Sequence, residues 1–199
     1  MASGVQSHTE GYSTVASGDR AHAEGNATKA TGTYSHSEGY STEASGQYTH
    51  SEGWLSVASG QVGHSEGYKT TASGRFSHAQ GRETTASGSA ASAGGLGTIA
   101  SGNNQTVLGK YNKSNGNMAF IIGNGTSDTA RSNAHTVDWN GNAWYAGKVQ
   151  AGVATTDSDD DLVLVTKGYL KSYVEKVAGD IEGALDNIIT KYGLGGDAS

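Results

Sequence analysis

Glycine recurs at every seventh position from Gly4 to Gly109 without a gap, and a period of fourteen is laid over it. Alternate heptads read Thr14-Val15-Ala16-Ser17-Gly18 and Ser35-His36-Ser37-Glu38-Gly39. A short fixed repeat of this kind specifies a solenoid, in which each coil buries its inner face only by stacking on its neighbours. The chain has 31 Gly and no Pro, so a collagen helix is excluded. Only 34% of it is hydrophobic, yet strict periodicity with interleaved aromatic residues argues against disorder.

Side chains of a strand alternate between two faces, so parity relative to each glycine separates inside from outside. Two residues before Gly stand Ala16, Ala30, Ala44, Ala58, Ala72, Ala86 and Ala100 in one half-coil, and Ala23, Ser37, Ser51, Ser65, Ala79 and Ala93 in the other. Four residues before Gly come Thr14, Thr28, Thr42, Ser56, Thr70, Thr84 and Thr98, with Ser35, Thr49, Gly63 and Ser77 in the other half. Both columns share one parity and admit no long side chain, which predicts a narrow interior. The opposite parity carries Val15, Lys29, Glu43, Val57 and the His and Glu residues, and so meets solvent or another subunit. Each coil is expected to hold two short strands, with glycine at the turns where a positive φ or a close approach is needed. Seven coils at about 4.8 Å would give a rod about 34 Å long. Ala, Ser and Thr bury little apolar area at about 25 cal/mol per Å2, so stability is expected from association, with a trimer as the closed symmetric form.

The outward columns hold the candidate chemistry. His8, His22, His36, His50, His64 and His78 stand three residues before Gly, and Glu10, Glu24, Glu38, Glu52 and Glu66 one residue before it. Stacking turns these into ladders of imidazole and carboxylate, the donor types of a transition-metal site or a pH-sensitive surface. Metal sites need three or four converging ligands, so hydrogen-bonded His–Glu ladders with no resident metal or cofactor are the expectation. Tyr12, Tyr40, Trp54 and Tyr68 follow Gly in one half-coil, and Tyr34, Tyr48 and Phe76 lie near the other turn. Such aromatics either contact a ligand or fill the ladder. The threonine column has inward parity, which argues against an ice-matching array.

Beyond the repeats, residues 110–150 read as a small β-rich cap. Phe120-Ile121-Ile122 is an apolar strand ended by Gly123-Asn124-Gly125, and Asn140-Gly141 is a hairpin turn between Val137-Asp138-Trp139 and Ala143-Trp144-Tyr145. Trp139, Trp144 and Tyr145 serve either as a recognition surface or as the core of the cap. Residues 151–165 form an acidic linker; Asp157, Asp159 and Asp161 alternate like Ca2+-loop ligands, but the motif's Gly and terminal Glu are missing. Residues 166–192 read as a helix whose Leu170, Val174, Val177, Ile181, Ala184 and Ile188 make a short heptad seam, ahead of a flexible tail at 193–199. Gly168, Gly179 and Gly183 weaken that helix by up to about 1 kcal/mol each, so several copies around an axis are expected to hold it.

A net charge of -6 gives no footprint for nucleic acid or for an anionic membrane surface. No apolar stretch is long enough to span a bilayer and no signal-peptide core stands near Met1, so membrane insertion is not expected. No Cys is present, so there is neither a disulfide framework nor a thiolate site. No GxSxG, phosphate loop or catalytic carboxylate pair stands out, and the chain is expected not to be an enzyme. Met1-Ala2-Ser3-Gly4 already sits in phase, which reads as an array begun part-way along.

Residues 1–109 resemble the head repeats of YadA-type trimeric autotransporter adhesins, on the strength of the fourteen-residue unit with a small residue two before each Gly, from Ala16-Ser17-Gly18 to Ala100-Ser101-Gly102. The resemblance implies a left-handed parallel β-roll in a homotrimer. Asn117–Gly125, Arg131–Gly147 and Leu164-Val165-Thr166-Lys167-Gly168-Tyr169-Leu170 look like the segments that follow such repeats in tail fibres of phages and prophages of Gram-positive bacteria. That second likeness implies a receptor-binding fibre of a phage or phage-tail-like particle, placed on the virion tail or baseplate and touching a carbohydrate or protein on the bacterial surface. The alternatives are the head of a bacterial surface adhesin and, third, a tail-associated carbohydrate-degrading enzyme.

Overall fold

The structure, a computed structural model, describes residues 1–148 and 167–192. The chain divides into two units, Met1–Gly147 and Lys148–Ser199. In the first, five-residue strands alternate with two-residue strands. They run β1 (His8–Tyr12), β2 (Val15–Ala16), β3 (His22–Asn26), β4 (Lys29–Ala30), β5 (His36–Tyr40), β6 (Glu43–Ala44), β7 (His50–Trp54) and β8 (Val57–Ala58). The alternation continues as β9 (His64–Tyr68), β10 (Thr71–Ala72), β11 (His78–Arg82), β12 (Thr85–Ala86), β13 (Ser92–Leu96), β14 (Ile99–Ala100) and β15 (Thr106–Lys110). All long strands pair in parallel in one sheet and all short strands in another, so the molecule is a parallel β-solenoid.

The register is a shift of one repeat: His8 lies beside His22, Glu10 beside Glu24 and Gly11 beside Gly25. Identical residue types therefore stack along the rod. The two inward columns are buried as their parity requires, Ala16, Ala30, Ala44, Ala58 and Ala72 at 0% exposure. The hydroxyls among them bond inside the coil. Ser35 Oγ donates to the Gly32 carbonyl at 2.6 Å and Thr49 Oγ1 to Gly46 at 2.7 Å. Ser37 meets Thr42 at 2.8 Å, and Ser65 meets Thr70 at 2.8 Å. A buried hydroxyl without a partner carries its desolvation cost, so these pairs make a polar interior tolerable. Where Ala23 takes the place of that serine, Thr28 Oγ1 is buried with no hydrogen-bond partner.

Glycine opens turns, as where Gly18 accepts from Ala21 N–H at 3.2 Å and Gly32 from Ser35 N–H at 3.2 Å, and it also stands where coils touch. Gly53 lies within β7 at φ 98°, and a Cβ there would run into the backbone of Gly67, one coil on. Gly60 has no such dihedral, but a Cβ would meet the Ser73 carbonyl at 2.7 Å. The chain reverses two residues after each glycine, on ordinary residues in the left-handed region, such as Tyr48 at φ 60° and Leu55 at φ 59°. Each is held by a bond between coils: Tyr48 N–H donates to Thr33 at 2.9 Å and Leu55 N–H to Tyr40 at 2.9 Å. Those bonds offset a left-handed conformation that costs about 1–3 kcal/mol. Glycine is required where neighbouring coils touch backbone to backbone.

The sheet does not stop at residue 109. Gly116 and Gly123 keep the period, and β16 (Met118–Asn124) pairs in parallel onto β15, with Gly109 beside Gly123. Eight long strands and this further rung exceed the seven coils expected from the repeats. The interior column widens here from Ala93 to Val107 and Ile121, both fully buried. The sheet then turns antiparallel through β17 (Asn133–Asp138) and β18 (Ala143–Tyr145), joined at Asn140-Gly141 as expected. The Asp138 carboxylate accepts from Asn140 N–H at 2.8 Å and Asn142 N–H at 2.9 Å.

Two buried amides close the solenoid. Asn112 Oδ1 accepts from Ile99 N–H at 2.7 Å and its Nδ2 donates to the Ile99 carbonyl at 3.0 Å. It thus imitates the next short strand beside β14. Gln105 Oε1 accepts from Ser101 and Gly102 N–H at 3.0 and 3.1 Å, while its Nε2 donates to the Asn115 and Met118 carbonyls, each at 2.7 Å.

The second unit contributes α1 (Lys167–Tyr192). Val174, Val177, Ile181 and Ile188 are exposed, as is Leu185. The acidic linker with Asp157, Asp159 and Asp161, and the tail at 193–199, lie outside the described residues, as does the side chain of Leu170.

Two substitutions separate these effects. Gly53→Ala is expected to destabilise by about 2–4 kcal/mol in chemical unfolding followed by circular dichroism. Gly141→Ala, with a positive φ but nothing within 4 Å, is expected to cost about 1 kcal/mol. Ala23→Ser supplies the missing partner of Thr28 and is expected to stabilise by about 1 kcal/mol in the same assay.

Candidate functional site

The His and Glu columns share the outer face of the long-strand sheet. From His22 to His78 the rings stack with centroids 4.8–4.9 Å apart and planes within 8° of parallel. The pairing with glutamate is diagonal between coils. His36 Nε2 lies 3.5 Å from Glu24, His50 3.6 Å from Glu38, His64 3.7 Å from Glu52 and His78 3.6 Å from Glu66. Only His8, at the open edge, pairs within its own strand, 3.4 Å from Glu10. The Nε2 atoms of His22, His36, His50, His64 and His78 are shielded from solvent and form no regular hydrogen bond.

In-register stacking also brings like charges together. Hydrogen bonds shared with Glu52 and Glu24 push Glu38 up to about 7, while both neighbours are held below the ordinary range. Burial, then the flanking His36 and His64 rings, hold His50 below its ordinary range. The column thus carries fewer charges than its composition allows. Three donors converge in each of four groups: His8 with Glu10 and His22, Glu24 with His36 and Glu38, Glu38 with His50 and Glu52, and Glu52 with His64 and Glu66. The ligand atoms of a group lie within 4.8 Å of one another. Sequence alone placed these residues on one face but gave no sign that the diagonal offset would draw three together.

Asn26 divides the first aromatic ladder, standing between Tyr12 and Tyr40 in the register. Tyr40, Trp54 and Tyr68 then follow edge to face, with centroids 6.0 and 5.0 Å apart. Tyr34 and Tyr48 stack at 5.1 Å, Arg20 lies 5.2 Å above Tyr34, and Arg75 lies 4.5 Å above Phe76. These rings fill the ladder while keeping one face in solvent.

The cap holds a groove of about 710 Å3 lined among others by Lys113, Asn115, Arg131, Asn133, Thr136 and Trp144. Trp139, Trp144 and Tyr145 are each about half exposed, so they do not form a closed core within the single chain. Tyr145 stacks on His135 at 4.2 Å, and His135 Nδ1 lies 3.0 Å from the Trp144 carbonyl, which sets the strand that carries the indole. Arg131 anchors the floor, with Nη1 donating to the Gly97 and Asn112 carbonyls at 2.8 and 3.1 Å and Nη2 meeting Asp128. An indole beside amides, a hydroxyl and two cations suits a polar ligand with one apolar face. Gln105 and Asn112 stand in phase with the inward column, four residues before Gly109 and Gly116, and are fully buried there, so that column does admit a long side chain at its end. Arg131 carries no periodic signal.

No family model matches this chain, and no curated protein matches it in sequence. Among the described residues no helix is long and apolar enough to cross a membrane.

The raised Glu38 has a definite linkage. Its contribution to stability is fully present below its ordinary value of 4.5 and is lost as pH rises through about 7. The depressed His50 acts in the opposite sense, its contribution falling as pH drops. Replacing Glu38 alone isolates the first effect. The thermal midpoint of Glu38→Gln minus that of the parent is expected to grow steadily from pH 5 to pH 8, measured by calorimetry.

Proposed function

We propose that the chain is a segment of a homotrimeric fibre of a phage or phage-tail-like particle, acting outside the cell by contact with the bacterial host surface. The observation that carries the reading is the apolar stripe of α1. Val174, Val177, Ile181 and Ile188 follow heptad steps and are all exposed in the single chain. A helix with this stripe and two internal glycines needs copies of itself, and three such helices bury the stripe around one axis. The solenoid supports the same reading, since its thin Ala, Ser and Thr interior gains from a partner on its outer valine- and isoleucine-bearing face.

In this reading the solenoid is a stiff spacer and the cap groove around Trp144 is the recognition face. The indole stacks on the apolar face of a surface sugar while Asn115, Asn133 and Thr136 take its hydroxyls. Three such sites in one assembly convert weak contacts into durable attachment. The chain binds and spaces, and catalysis plays no part.

Light scattering on the purified chain is expected to give a mass three times 20.3 kDa. Ile181→Asp is expected to shift the population to monomer while the solenoid's circular dichroism persists. A folded monomer of the parent chain would end the trimer reading. Trp144→Ala is expected to lower binding to isolated host cell walls at least about tenfold with the mass unchanged, the loss of one stacking contact repeated across a multivalent surface.

A further inference from the structure

The diagonal His–Glu pairing places imidazole nitrogens and carboxylate oxygens in the mixed donor set that borderline divalent transition ions favour. The rings cannot turn away independently, because each is stacked within 4.9 Å of its neighbours, and their Nε2 atoms are shielded without regular hydrogen bonds. The glutamate side chains are the movable part. In each group the donors start within 4.8 Å of one another, and a small rotation of the carboxylates draws them to a tetrahedral ion with water in the fourth position.

We propose that this face of the solenoid binds divalent transition ions of the Zn2+ type in a row, each held by three side chains from adjacent coils. His8, Glu10 and His22 form one site, Glu24, His36 and Glu38 a second, and Glu52, His64 and Glu66 a third. The group of Glu38, His50 and Glu52 shares a ligand with both its neighbours, so it stays empty when they are filled. Four overlapping groups thus yield three sites with no ligand in common. The row ends at His78, where Gln80 replaces the glutamate and leaves His78 with Glu66 alone. An ion bridging coils ties neighbouring repeats together and supplies the positive charge that a column of carboxylates lacks. None of this depends on the fibre reading or on the number of chains in the assembly.

The test is calorimetric titration of Zn2+ into the full chain at pH 7.5, with Co2+ as a spectroscopic stand-in. Three ions per chain are expected, with visible Co2+ bands of tetrahedral intensity and a thermal midpoint raised by several degrees in Zn2+. The double variant Glu38→Gln with Glu52→Gln removes one ligand from the second site and one from the third, so binding is expected to fall to one ion per chain. It also relieves carboxylate repulsion, so the metal-free variant is expected to melt no lower than the parent. Should the double variant fail to fold, His8→Gln at the open edge strand removes the first site alone, and two ions are expected. Absence of heat, of Co2+ bands and of any midpoint shift in the parent overturns the proposal. So does a stoichiometry that the substitutions leave at three.

Discussion

Everything in the solenoid depends on how closely one coil can approach the next. Parallel strands can be in register for eight consecutive rungs only if no side chain intrudes where the backbones meet, and glycine is the residue that leaves that space open. The contact between Gly53 and Gly67, repeated along the rod, sets the spacing at which His stacks on His, Tyr on Tyr and Ala on Ala. The repeat is thus a distance constraint before it is a hydrophobic pattern. The interior follows from it: a coil this flat has room for Ala, Ser and Thr, and the hydroxyls survive burial by pairing with each other and with glycine carbonyls.

Identical stacking has an electrical consequence that a mixed sequence would avoid. A column of carboxylates is a column of repulsion, and the molecule answers it by setting histidine diagonally between coils, while Glu38 between its two carboxylate neighbours is pushed up to about 7. Cross-strand pairs of opposite charge normally contribute some tenths of a kcal/mol each, so their value lies in repetition. The aromatic ladders obey the same geometry with different chemistry. Tyr40, Trp54 and Tyr68 meet edge to face where Arg82 and Lys69 add cations to the last ring, so the ladder ends without leaving that face bare.

The solenoid was legible because its signal is repeated: the inward parity of Ala16 and Thr28 is confirmed by the same choice one and two coils later. The Asn140-Gly141 hairpin was legible because a two-residue turn has few solutions. What could not be read were the single-use residues. The spacing of Gln105 and Asn112 places them in the inward column, but nothing in it announces that their amides close the stack, and Arg131 stands outside the period altogether. Glycine at the turns was legible from the period, and both reasons for it occur, a positive φ at Gly53 and a close backbone approach at Gly60. What the period did not announce is that ordinary residues two positions on, such as Tyr48 and Leu55, also take a positive φ.

The amides of Asn112 and Gln105 present to the last coil the donors and acceptors that another coil would have offered. The end of the rod therefore has no memory of how many repeats precede it. A whole fourteen-residue unit can be gained or lost upstream without disturbing the cap, its groove or the closing bonds, provided each new coil keeps its glycines. The length of the solenoid becomes a quantity that recombination between near-identical repeats can adjust in steps of one strand spacing, while the closing bonds of Asn112 and Gln105 stay the same.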